Sequence, residues 1–187
     1  MEMQYKEGIN GEMANRRRNK VKRTDLAVRL LALVLTLAAA VVLGVNKQAT
    51  TVPIQIIPSL PPVNVPVNAK WLHMSAFVYF VIANAIACSY VAVSLILAFA
   101  SKGGKNVSLM VTILDLVVMT LLFSSLGATG AVGLIGYEGN SHVQWKKVCN
   151  VFDKFCHQVA AAMVLSFIGS IAYLLLAVLS VFNVYKN

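Results

Sequence analysis

The sequence predicts an all-α membrane protein, a four-transmembrane-helix bundle with cytoplasmic termini and two extracellular loops. Three observations predict it. The 187 residues are 58% hydrophobic and only 12% charged, against about 25% charged in a soluble domain, and the mean hydropathy of +0.74 puts the chain in the membrane class. The apolar residues gather into four runs, each long enough to cross a hydrocarbon core of about 30 Å. The cations divide unevenly between the two sides that four spans define.

Residues 1–24 carry Gly, Asn, Glu and a charge block without an apolar period, which predicts a disordered basic tail. Arg16, Arg17, Arg18, Lys20, Lys22 and Arg23 place six cations in eight residues. Such a block is also the mark of a nucleic-acid or nuclear-targeting segment. An apolar run beginning at Leu26 favours a juxtamembrane segment that fixes topology and touches anionic lipid, so membrane lipids are the expected partners and nucleic acid is not. The polar, basic start also makes the first run a retained anchor rather than a cleaved signal.

The first span is read at 26–45, with Arg29 near its start. An outer loop follows at 46–76. It holds all five prolines, Pro53, Pro58, Pro61, Pro62 and Pro66, and carries no charge between Lys47 and Lys70. Alternating Val, Ile and Pro forbid a helix there and favour extended or polyproline II backbone. Such a stiff, uncharged loop is either a contact surface or a cover over the span ends. The second span is read at 77–100, entered through Trp71 and His73 as interface anchors, with Asn84, Cys88, Ser89 and Ser94 as its polar points. A Lys102-Gly103-Gly104-Lys105 turn leads to the third span at 107–135. The second outer loop is read at 136–158, the fourth span at 159–182, and a short tail at 184–187.

Four spans put both termini on one side. That side holds Lys6, the six-cation block, Lys102, Lys105 and Lys186; the other holds Lys47, Lys70, Lys146, Lys147 and Lys154. The richer side is assigned to the cytoplasm. Asn106-Val107-Ser108 matches a glycosylation sequon but falls on the cytoplasmic side, so it is expected to stay bare.

The third span is the unusual one. Asp115 is an acid inside an apolar run, and such residues need a partner, a cavity or a proton. Arg29 and Asp115 both fall in the inner half of the membrane, and a helical side chain leans toward its own N-terminus, so the long Arg side chain can reach the carboxylate. A structural salt bridge that docks spans one and three is the expectation. The alternative is an ion or proton site, which a single acid with no intramembrane His supports poorly. Snorkelling to the headgroups would also explain Arg29.

Gly127, Gly130, Gly133 and Gly136 recur every three residues in the outer half of the same span. Steps of three drift by about 60° around a helix, so these glycines spiral instead of forming the groove of a four-residue motif. Close packing within the protomer is the expectation, with packing against another subunit as the alternative. Cys149 and Cys156 share an outward, oxidising loop. On a straight helix their Cα atoms would lie about 10 Å apart, too far for a bridge, so a disulfide there requires a bent segment. A structural disulfide is favoured over metal binding with His157 or redox chemistry, because Cys-x-x-Cys spacing is absent. Cys88 reads as packing. The sequence has no nucleophile elbow, zincin motif or paired carboxylates. No enzyme activity, cofactor or metal is expected.

Taken together, four spans with Arg in the first and Asp in the third, and the loop running from Gly136-Tyr137-Glu138-Gly139-Asn140-Ser141-His142 through Trp145-Lys146-Lys147-Val148-Cys149 to Phe152-Asp153-Lys154-Phe155-Cys156, resemble the Casparian strip membrane domain proteins of plants and their CASP-like relatives, distantly similar to the animal MARVEL tetraspan proteins. The resemblance covers about residues 24–182. It implies a non-enzymatic plasma-membrane scaffold that forms homo-oligomers or hetero-oligomers with related proteins and builds an immobile membrane domain. In the founding members such a domain recruits extracellular wall-modifying enzymes that lay down lignin. The Pro-rich first loop differs from the short signature of the strip-forming members and points to a CASP-like relative. Trp145, Phe152 and Phe155 are then the expected partner surface of the second loop. The rival class is a small transporter or channel with Asp115 lining a polar path.

Overall fold

The computed structural model describes residues 2–54, 63–100, 105–139, 142, 145 and 147–186. Four long helices dominate: α1 (Glu2–Gly44), α2 (Ser75–Ala100), α3 (Lys105–Glu138) and α4 (Asp153–Lys186). Each contains a stretch long and apolar enough to cross a membrane: Lys22–Gly44, Ser75–Leu97, Leu109–Glu138 and Asp153–Phe182. α1 packs mainly against α2 and α4, and α3 does the same. The helices therefore form a square in which α1 faces α3 across one diagonal and α2 faces α4 across the other.

Three sequence expectations are corrected. The first concerns residues 1–24, expected to be disordered. From Glu2 onward they continue α1, which is 43 residues long, about 65 Å. Helix nucleation is the unfavourable step and extension is not; the span supplies the nucleus. The extension has no proline and is rich in Glu, Met, Lys and Arg, all good helix formers.

The second is the first outer loop, which adds two strands to the expected all-α fold. β1 (Lys47–Ile54) and β2 (Val63–Lys70) pair antiparallel, Lys47 opposite Lys70 and Ile54 opposite Val63. The extended backbone was foreseen, but not its pairing. Exposure alternates along both strands, with Gln48, Thr50, Val52, Val65, Val67 and Ala69 on the more covered face and Pro53 and Pro66 outward. Outward edge positions are where a strand tolerates proline. Pro58, Pro61 and Pro62 lie outside the described residues, as do Lys146 and the turn at 101–104.

The third is the start of the fourth helix, six residues earlier than the expected span at 159. Asp153, in its first turn, is favourable at the positive end of the helix dipole. Phe152, Phe155, Val159, Ala162 and Ser166 are buried at three- and four-residue steps, the stripe of a core-facing helix.

The seams between neighbouring helices are built from small residues, as membrane interfaces tend to be. Ala32, Ala39, Ala83, Ala87, Ala162, Ala172 and Ala177 are all buried. Outward positions such as Leu30, Val34, Leu37 and Val41 are large, apolar and exposed, as a lipid-facing stripe requires. At Gly169 a Cβ would lie 3.3 Å from Thr36 Cγ2 and 3.6 Å from Leu35 Cβ. Gly169→Leu is therefore expected to push α1 off α4 and lower stability by about 1–3 kcal/mol, the usual range for overpacking. Gly169→Ala needs only a shift of a few tenths of an ångström. Thermal unfolding of the purified protein in detergent distinguishes the two.

Candidate functional site

The centre of the bundle is polar, and side chains from all four helices meet there. Arg29 of α1 is 4% exposed and Asp115 of α3 is 0% exposed. They form a salt bridge across the α1–α3 diagonal, Nη2 to Oδ2, at 3.2 Å. The contact itself places the two side chains at one level of the bundle.

The other two nitrogens of Arg29 are also engaged. Nε donates to Asp25 Oδ2 at 3.1 Å, one turn back on α1, and Nη1 donates to Ser94 Oγ at 3.0 Å on α2. The second carboxylate oxygen of Asp115 accepts from the Tyr90 hydroxyl at 2.8 Å. The Tyr90 ring lies 6.4 Å from that of Tyr173 on α4, and the Tyr173 hydroxyl donates to the Ala87 carbonyl of α2 at 2.6 Å. Higher in the bundle, Ser166 of α4 donates to Asn84 Oδ1 of α2 at 2.9 Å, while Asn84 Nδ2 donates to the Phe80 carbonyl at 2.9 Å. Polar side chains thus tie both diagonals, and also the neighbouring pairs α1–α2 and α2–α3.

Sequence reasoning found Arg29 and Asp115, and it named Ser94 and Asn84 as polar points without partners. It missed Asp25, Tyr90, Tyr173 and Ser166. For the tyrosines a signal was present. A tyrosine in mid-span, away from the aromatic belt at the interface, has a hydroxyl that must find a protein partner.

At the end of the bundle away from the chain termini, Gly136, Cys149 and Cys156 form one construction. α3 ends at Gly139, whose φ of 73° is left-handed, and its N–H donates to the Ile135 carbonyl at 2.8 Å, a helix-ending motif that glycine permits. The Gly136 carbonyl accepts from the N–H groups of Val148 and Cys149 at 2.8 and 3.2 Å. This turns the chain back over α3. Cys149 and Cys156 are disulfide-bonded with Cα atoms 5.7 Å apart. The bend that the sequence demanded is the turn at 148–151, before α4 begins. The cross-link closes a short loop, so Cys149→Ser or Cys156→Ser is expected to lower stability by about 2–3 kcal/mol on the loop-entropy account. Unfolding midpoints with and without reductant test this: wild type drops under reductant and the variants do not.

Two of the expected site assignments are corrected. Phe152 and Phe155 are not a partner surface. They are 7% and 6% exposed and belong to a cluster with Ala39, Leu43, Phe77 and Phe80, the rings of Phe77 and Phe155 being 5.9 Å apart. The backbone of Phe155 is held too, its carbonyl by Asn46 Nδ2 at 3.0 Å and its N–H by Gln48 Oε1 at 2.8 Å. Only Trp145 of the three is exposed, at 62%. Of the four glycines, Gly130 alone is closely packed within the protomer. A Cβ there would lie 3.3 Å from Met163 Cε, whereas at Gly127, Gly133 and Gly136 it would meet nothing within 4 Å. Steps of three carry successive glycines around the helix, and only one lands on α4.

The chain matches the Casparian strip membrane protein domain over residues 18–172. The chain belongs to the CASP-like family. It is 58% identical over 169 residues to CASP-like protein 1E2 of Vitis vinifera, an alignment covering 90% of this chain and 87% of that protein. It is 57% identical to CASP-like protein 1E1 of Ricinus communis, covering 87% and 83%. With CASP-like protein 1E1 of Arabidopsis thaliana it shares 50% identity, covering 92% of each chain. No solved structure matches the chain. Within this CASP-like chain, the matched region spans the Arg29–Asp115 bridge, the disulfide and the hairpin.

Proposed function

We propose that this CASP-like protein is a non-enzymatic, self-associating scaffold of the plasma membrane, with both termini cytoplasmic and the hairpin and disulfide loop outside. The observation that carries the reading is where its polar groups go. The intramembrane charges Arg29 and Asp115, with Ser94, Tyr90, Asn84 and Ser166, are turned inward and bonded to one another across helices, which favours a rigid bundle. Asp115 is fully buried with both oxygens engaged, a geometry that suits a docking point better than the wall of a polar path. Outside the bundle, α3 has open space beside Gly127 and Gly133, which supports close approach of another subunit, either a second copy or a related protein. The exposed Trp145 and the outward face of the hairpin offer a surface to extracellular wall-modifying partners.

Cross-linking in the native membrane should yield oligomers, and photobleached protein should recover slowly. Rapid recovery of the whole population would overturn the scaffold. The topology has its own test. Asn106 is expected to remain unglycosylated, whereas a sequon introduced beside Trp145 should be glycosylated; sugar at Asn106 would invert the assignment.

A further inference from the structure

Along the surface of α1, a shallow, open groove of about 370 Å³ is lined, on this one helix, by Lys20, Arg23, Thr24, Ala27, Val28 and Leu31. Its lining changes character along its length. Lys20 and Arg23 are exposed and flank Lys22, where the apolar span begins. Ala27, Val28 and Leu31 follow inside the span. From Lys20 to Leu31 is about 16 Å at the helical rise, the depth of a headgroup and the first carbons of an acyl chain. Arg16, Lys20, Arg23, Ala27 and Leu31 recur at steps of three and four, so they share one face.

The acids of this region are placed elsewhere or are too few to neutralise the face. Asp25 is bonded to Arg29, turned toward the bundle. Glu12, four residues before Arg16, is the one acid on the same face among the residues with described side chains. The charge block thus continues α1, with Arg16, Lys20 and Arg23 in line with an apolar strip, which the expectation of a disordered tail did not provide.

We infer that this groove binds one anionic phospholipid, its headgroup phosphate between Lys20 and Arg23 and its acyl chain along Ala27, Val28 and Leu31. Charge complementarity selects the occupant. The upper part offers donors and positive charge to an anion, and the lower part offers only hydrocarbon, which an acidic peptide or a free phosphate would leave bare. Diffuse attraction of a basic segment to an anionic surface needs only the cations. A built site needs the apolar strip beneath them as well. The inference is independent of self-association.

The full-length protein, released from vesicles of phosphatidylcholine with a minor fraction of phosphatidylserine, should retain phosphatidylserine in native mass spectra. A cation near an anionic surface contributes roughly fivefold in affinity, so Lys20→Gln with Arg23→Gln should lower retention roughly 25-fold. Leu31→Trp fills the strip at an exposed position without changing charge and should lower retention as well. Lys147→Gln, in the opposite loop, should leave it unchanged. Equal retention of the two lipids by wild type, or wild-type retention by the Lys20/Arg23 variant, overturns the inference. Wild-type retention by Leu31→Trp overturns it too, because attraction would then depend on charge alone.

Discussion

Replacing Asp115 by alanine is expected to destabilise the bundle by about 3–5 kcal/mol, the range for breaking a buried ion pair from one side. The loss comes less from the missing attraction than from what remains. Arg29 is 4% exposed, so its guanidinium would stay inside the bundle with one carboxylate gone. Asp25, its other acidic partner, is partly exposed and cannot satisfy the Nη2 donor across the diagonal. The Tyr90 hydroxyl would lose its acceptor as well, although the Val111 carbonyl at 3.1 Å offers a replacement. Asp115→Asn keeps one acceptor oxygen for Arg29 but puts an NH2 donor toward Tyr90, whose hydroxyl can turn to the Val111 carbonyl, and should cost about half as much.

The decisive comparison is the double variant Arg29→Leu with Asp115→Leu. Removing both charges leaves nothing uncompensated, and well-packed apolar replacements of buried pairs are often neutral. It should therefore be more stable than Asp115→Ala by at least about 2 kcal/mol. Unfolding midpoints in detergent, with gel filtration to report the folded fraction, measure this. Single variants that each lose less than about 1 kcal/mol and combine additively would show that the pair does not dock the helices.

Much of this architecture could be read from the sequence because membrane helices are coded locally. Apolar length marks a span, and a charge inside one marks a partner. Arg29 and Asp115 were legible for that reason. What was not legible depends on direction or on distant pairing. The tie from Asn84 to Ser166 joins residues 82 positions apart, and nothing near either one announces the other. The β1–β2 pairing needs a register between two prolyl strands that local propensity does not supply. The glycine spacing indicated that the residues spiral, but not which of the four would face α4.

The second outer loop misled for a more specific reason. Asp153, Lys154 and His157 are exposed, and their charges made 136–158 read as loop. They occupy one face of α4's first turns, while Phe152, Phe155 and Val159 occupy the other. A test of period 3.6 through the charged residues would have exposed the helix, because the buried positions continue without a break into Ala162 and Ser166.

That correction gives Phe155→Ala an expected effect as large as that of Asp115→Ala, about 3–5 kcal/mol for truncating a buried aromatic. Phe155 sits where three elements converge. Its ring packs on Phe77 at the start of α2, and its backbone is held by Asn46 after α1 and by Gln48 of β1. The cluster closes the end of the bundle away from the termini, so apolar burial there carries the full transfer term. The cavity would loosen the seat of the hairpin on α4, and amide exchange at 47–70 should quicken together with that at 148–156. Trp145→Ala, at an exposed position, should shift stability by no more than about 0.5 kcal/mol while weakening capture of an extracellular partner. If Trp145→Ala proved the more destabilising of the two, the division between a structural Phe152–Phe155 cap and a presented Trp145 would fail.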